Sequence, residues 1–198
     1  MHKRNSLTTI LIVVITASYL ADHYLFQNSF PPFFDRLLLV KRYVYGDGTV
    51  IGTDTGQWYR LVTVALTHAS WTHLILNMLS LYQLGSVVES FYGRARYSFI
   101  LLLSLVTASL TSITLNPSVV AVGASGMIYG LFSVLLVTGK RMGADLRQMI
   151  GVVVINLALG FTIPNVDWHA HVGGLVGGAI ATYLVMWFNR PKQGLRNI

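Results

Sequence analysis

Val122-Gly123-Ala124-Ser125-Gly126-Met127-Ile128-Tyr129-Gly130 is a run of small residues around one serine, and it leads into the apolar stretch Leu131 to Thr138. Glycines on both sides of a serine let the backbone bend sharply and let other groups come close, as a mounted nucleophile requires. The same letters also serve as a small-residue packing patch between membrane helices. Nothing within the nine residues separates the two readings, so the rest of the chain has to.

Composition settles the class. Hydrophobic residues make up 54% of the 198 positions and charged residues 11%, with a mean hydropathy of +0.59. A surface that apolar cannot be covered with polar groups in water, so the chain reads as an integral membrane protein. There is no cysteine, which excludes disulfides and thiolate metal sites. The net charge of +7 would suit nucleic acid in a soluble protein. Here the basic residues flank apolar segments and mark the cytoplasmic side instead, so no nucleic-acid partner is expected.

The apolar segments predict an all-α, polytopic bundle of six transmembrane helices at 7–25, 71–90, 95–115, 124–139, 148–163 and 169–188, in a single domain over 1–198. The first segment is read as an uncleaved span, because five more follow and no small-x-small cleavage site is clear. Between the first two spans, residues 27–70 form a long loop punctuated by Pro31, Pro32, Gly46, Gly48, Gly52 and Gly56. Its Phe33-Phe34 and Leu37 to Val40 predict an amphipathic, partly helical segment resting in the membrane interface. No soluble domain is seen at either end, so an attached sensor is not expected.

With the amino terminus inside, ten basic residues lie on the cytoplasmic side (Lys3, Arg4, Arg94, Arg96, Lys140, Arg141, Arg147, Arg190, Lys192, Arg196). Four lie outside (Arg36, Lys41, Arg42, Arg60), all in the long loop. This bias orients the bundle in the cell membrane, with both termini cytoplasmic, and a site opening to the outer side is expected. Depth then follows from helical rise. Ser125 is thirteen residues above Thr138, roughly 20 Å from the inner end of its span. His171 stands sixteen residues above Trp187, and Asn77 sixteen from Gly93, each roughly 24 Å. Three helices thus carry a serine, a histidine and an asparagine at nearly one level, and polar groups held at depth in a membrane argue for a site.

Their types suit acyl transfer. A serine hydroxyl needs a base to take its proton, and a neutral imidazole does this. The oxyanion that forms needs preorganised donors, which Asn77, His73 and the Ser125 backbone N–H offer, His73 and Asn77 sharing one helix face. His169 and His171 are about 200° apart on a helix and cannot both face Ser125. His171 has Gly174 and Gly178 below it, and the serine helix has Gly126 and Gly130. Close contact through these glycines predicts His171 as the base, Tyr129 as a ring stacked against it, and His169 as a residue at the loop end. No acid stands where a third member would be expected, so a Ser-His dyad is predicted, with Asp167 nearer the membrane surface.

Gly123-Ala124-Ser125-Gly126-x-x-Tyr129, Ala170-His171-x-x-Gly174-x-x-x-Gly178 and His68-x4-His73-x3-Asn77 together resemble the signature of the rhomboid intramembrane serine proteases. The resemblance runs over nearly the whole chain. It implies Ser125 as nucleophile, His171 as general base, and His73 and Asn77 as oxyanion donors. It further implies cleavage of transmembrane protein substrates within the lipid bilayer, no metal or organic cofactor, and a lateral gate formed by the fifth span with the first loop. Gly85, Glu89 and Gly93 resemble the family's run closing the second helix, and Trp58-Tyr59-Arg60 its tryptophan-arginine element. Two departures concern the loop: Val64 stands where a first histidine often precedes His68, and Tyr59 separates Trp58 from Arg60. A non-catalytic relative would lack Ser125 or His171, and a channel or transporter would repeat its polar groups in a second half.

Overall fold

A computed structural model of the chain describes residues 6–26, 32–143 and 166–188, with 147, 150, 151, 153–155 and 158. In chain order these form α1 (Leu7–Leu25), α2 (Phe33–Leu37), β1 (Leu39–Val40), β2 (Tyr43–Val44), β3 (Val50–Ile51), α3 (Arg60–Thr63), α4 (Trp71–Tyr92), α5 (Arg94–Leu115), β4 (Val120–Ala121), α6 (Ser125–Thr138) and α7 (Trp168–Phe188). Among the described residues α1, α4, α5 and α7 are long and apolar enough to cross a membrane. The chain is an integral membrane protein.

The expected fourth span is α6, whose 14 residues reach only about 21 Å. It can be short because other helices enclose it: nearly all of its side chains from Gly126 to Leu135 are buried. The expected fifth span, 148–163, lies outside the described residues apart from isolated positions.

Two glycine faces of α7 explain why α5, α6 and α7 pack as one unit. A Cβ built on Gly174 would collide with the carbonyl of Gly126, and one on Gly178 with the backbone of Gly130. The adjacent face, Gly173 and Gly177, lies against Thr111, Thr107 and the Leu103 carbonyl of α5. On α5 itself Ser104 fills the space over Gly130 and Ala108 the space over Gly126. Lipid supplies no hydrophobic drive between helices, so such backbone-to-backbone contact is what holds them. Elsewhere α4 holds α1 by its end: Glu89 accepts the Leu7 and Thr8 N–H groups at 2.6 and 2.9 Å, capping amides that a helix start leaves unpaired.

The segment between α1 and α4 departs from the all-helical expectation. β1 pairs antiparallel with β4 (Leu39 with Ala121, Val40 with Val120), and β2 with β3. At its centre Arg60, 1% exposed, donates to the carbonyls of Asp35 and Leu38, both at 2.7 Å, and to Gln57 Oε1 at 2.7 Å. Periodicity on this sequence could not reveal pairs of two-residue strands, because each is too short to show alternation.

Candidate active site

Ser125 is the first residue of α6 and follows directly on the β1–β4 ladder. The chain turns between them at Gly123, whose φ of +109° disfavours any side chain. Its N–H donates to the Val64 carbonyl at 3.1 Å. The segment before α4 therefore holds the turn at two places, through β1 and through Val64. At position 64, where the side chain departs from the family pattern, it is the main-chain carbonyl that makes this tie. At a helix start the first amides lack an acceptor one turn back, so the N–H of Ser125 is left without an intrahelical partner, while the N–H of Ile128 already donates to the Ala124 carbonyl at 3.3 Å.

Across from it, His171 lies in the first turn of α7 and is 8% exposed. Its Nε2 is 3.1 Å from Ser125 Oγ. The Tyr129 ring lies flat against the imidazole, centroids 4.0 Å apart and planes 10° from parallel. Tyr129 is one turn below Ser125, so α6 presents both the hydroxyl and the ring that orients its neighbour. His171 Nδ1 has no hydrogen-bond partner among the described residues. His169 instead stacks on Trp168, with centroids 3.7 Å apart.

His73 packs over Gly123, two residues before the serine: a Cβ on that glycine would lie 2.7 Å from the imidazole Cε1. Asn77, one turn on, is buried and donates from Nδ2 to the His73 carbonyl at 2.9 Å. Among the described residues its second N–H has no partner, and it makes no hydrogen bond to Ser125. His68, just before α4, is 2% exposed, with its ring 5.0 Å from that of His73. Burial, and after it the field of His73, push its pKa down to about 3, so it is neutral at physiological pH.

Two features escaped the reading of the sequence. One is Ser112 of α5, which is fully buried and hydrogen-bonds the Asp167 carboxylate. The other is the α5 stripe of which it is part. Ser104, Ala108 and Ser112 are small residues four apart, the spacing of a helix-contact face, so the signal was present.

Residues 55–188 match the family model of the Rhomboid domain. Rhomboid protease GluP of Bacillus subtilis (strain 168) is 37% identical over 144 residues, 70% of this chain and 28% of GluP. YdcA of the same bacterium is 32% identical over 143 residues, 69% of this chain and 72% of that protein. RHOMBOID-like protein 1 of Arabidopsis thaliana is 34% identical over 146 residues, 70% of this chain and 37% of the relative. The match therefore takes in well under half of the first and third of these relatives. Rhomboid family proteases are intramembrane serine proteases, and by the extent of these matches the chain belongs to the rhomboid family.

Proposed function

We propose that this chain is an intramembrane serine endopeptidase that cuts a peptide bond in or near the transmembrane segment of other membrane proteins. The observation that carries the reading is the 3.1 Å approach of His171 Nε2 to Ser125 Oγ, with the imidazole braced against Tyr129. In this reading His171 takes the hydroxyl proton as Oγ attacks the scissile carbonyl, and later returns it to the leaving amine. The oxyanion forms at the start of α6, where the Ser125 N–H, the spare N–H of Asn77 and the ring of His73 serve as donors. A Ser-His dyad suffices, since the Asp167 carboxylate is engaged elsewhere.

The substrate must present an extended strand, because a helix hides its carbonyls in its own hydrogen bonds. Small or helix-breaking residues at the cut are the expected preference. The chain acts as one domain of six spans in the cell membrane, termini inside, its site opening outward beneath the first loop.

The test is labelling by a fluorophosphonate, which reacts only with an activated serine. Wild-type protein in lipid should be labelled, and Ser125→Ala and His171→Ala should not. Equal labelling of wild type and Ser125→Ala would overturn the reading.

A further inference from the structure

The start of α7 is held in an unusual way. Asp167 stands three positions before Ala170, and its Oδ1 accepts the Ala170 N–H at 3.4 Å. The Asp167 main-chain carbonyl accepts the N–H of His171 itself, also at 3.4 Å. The other carboxylate oxygen accepts the hydroxyl of Ser112, in the last turns of α5. His169 Nδ1 lies 3.4 Å from Oδ1. One aspartate thus caps the first turn of α7 and fastens that turn to a second helix.

Where Ser112 sits gives this clasp its significance. Ser104 and Ala108, on the same face of α5, are the residues packed over Gly130 and Gly126 of α6. A single stripe of α5 therefore touches the helix that carries Ser125 and, one turn further, the cap of the helix that carries His171. Helix ends fray, and the first turn of α7 is where the imidazole is mounted. Without a tie, glycines 174 and 178 would fix the helix axis while leaving its first turn free to open. Catalytic geometry tolerates little of this, since a displacement of about 1 Å can cost as much as 10²-fold in rate.

Resting on the serine protease reading, we infer that Asp167 is a positioning residue whose clasp on Ser112 sets the approach of His171 to Ser125. It acts through hydrogen bonds at the helix start and does not touch the reacting atoms. The arrangement speaks against a third triad member: His171 Nδ1 has no partner among the described residues, while both Asp167 oxygens are occupied.

The test uses the full chain in lipid nanodiscs and measures the fluorophosphonate kinact and KI separately, on samples shown by circular dichroism to be equally folded. Asp167→Ala should lower kinact roughly tenfold and leave KI within about twofold, as misplacement of a base demands. Asp167→Asn should recover most of the loss, because its oxygen still caps Ala170 and its amide can donate to the Ser112 hydroxyl. Ser112→Ala, which leaves the cap intact, should fall between the two and covers the case in which Asp167→Ala does not fold. Wild-type kinact in Asp167→Ala or, if that does not fold, in Ser112→Ala would overturn the inference. So would Asp167→Asn as slow as Asp167→Ala, which would make charge and not the clasp responsible. Failure of the wild type to label would instead sink the protease reading.

Discussion

The α6–α7 contact and the segment from α2 to α3 converge on the same short turn at Gly123 to Ser125, and they hold it by opposite means. Below the Ser125–His171 pair the α6–α7 contact has almost no polar part: glycine faces glycine, and backbone touches backbone. In the α2–α3 segment a small apolar cluster of Leu38, Val40 and Ile51 is joined by a polar network of a buried guanidinium, a glutamine side chain and main-chain carbonyls. Surroundings explain the difference. Within the membrane no water repairs a lost hydrogen bond, so the helices use fit, whereas the segment before α4 buries a guanidinium by setting its Nε and Nη1 on one side-chain and two main-chain oxygens.

The two regions should fail differently. The largest effect is expected from Gly178→Leu, since the new side chain would be driven into the Gly130 backbone, which cannot move aside. A cost of about 3 kcal/mol or more is expected, with activity and the thermal midpoint in detergent lost together. An unchanged midpoint would refute the close contact of α6 with α7.

Next is Arg60→Ala, which strands the Asp35 and Leu38 carbonyls and leaves Gln57 Oε1 with the Gly52 N–H alone. Roughly 2–3 kcal/mol is expected from unpaired buried groups. Arg60→Lys should restore little, because an ammonium lacks the planar fork. Proteolysis within residues 32–66, ahead of any loss of helix, would show that the damage stays on this side.

The segment before α4 should respond to acid through His68. Its folded pKa of about 3 lies below the unfolded 6.5, so the unfolded chain binds more protons between these values. The stabilising effect of keeping it neutral is complete above pH 6.5 and is lost as pH falls. At pH 5 this amounts to about 2 kcal/mol. A chemical-denaturation series at pH 7 and 5 should show a loss larger by about that amount in the wild type than in His68→Gln, and identical pH dependence in both would refute it.

Gly123→Ala tests the point where the two regions meet. A methyl at φ +109° should destabilise by roughly 1–2 kcal/mol and displace His73, so turnover should fall more than the midpoint suggests. Activity reduced only in proportion to stability would mean that His73 does not depend on this glycine. The smallest effect is expected from His169→Ala, within about twofold of wild-type turnover by the scale of surface changes. Loss of activity there with His171→Ala still active would reverse the choice of base.

Much of the helical part was legible residue by residue. Hydrophobic runs of membrane length have few alternatives, so α1, α4, α5 and α7 begin and end within two residues of the expected bounds. Gly174 and Gly178 at i+3 and i+7 from His171 announced a close helix contact, because only glycine at that spacing leaves a bare strip of backbone. The serine, the histidine and the tyrosine beside them could be read for the same reason, since polar residues at depth in a membrane are costly and seldom idle.

Other features were decided only by the fold. That β1 reaches across some eighty residues to pair with β4, as Leu39 does with Ala121, is a long-range contact that local pattern does not encode. Arg60 looked like one of four outside charges, yet it is the buried centre of its segment. Asp167 and Ser112 lie 55 positions apart, and neither letter suggests the other. By itself the sequence determined that the stretches forming α1, α4, α5 and α7 are long and apolar enough to cross a membrane, and where polar residues interrupt them, because solvation and helical periodicity act locally. The tertiary structure alone decided which distant polar groups meet, because a hydrogen bond depends on two backbones arriving within about 3 Å.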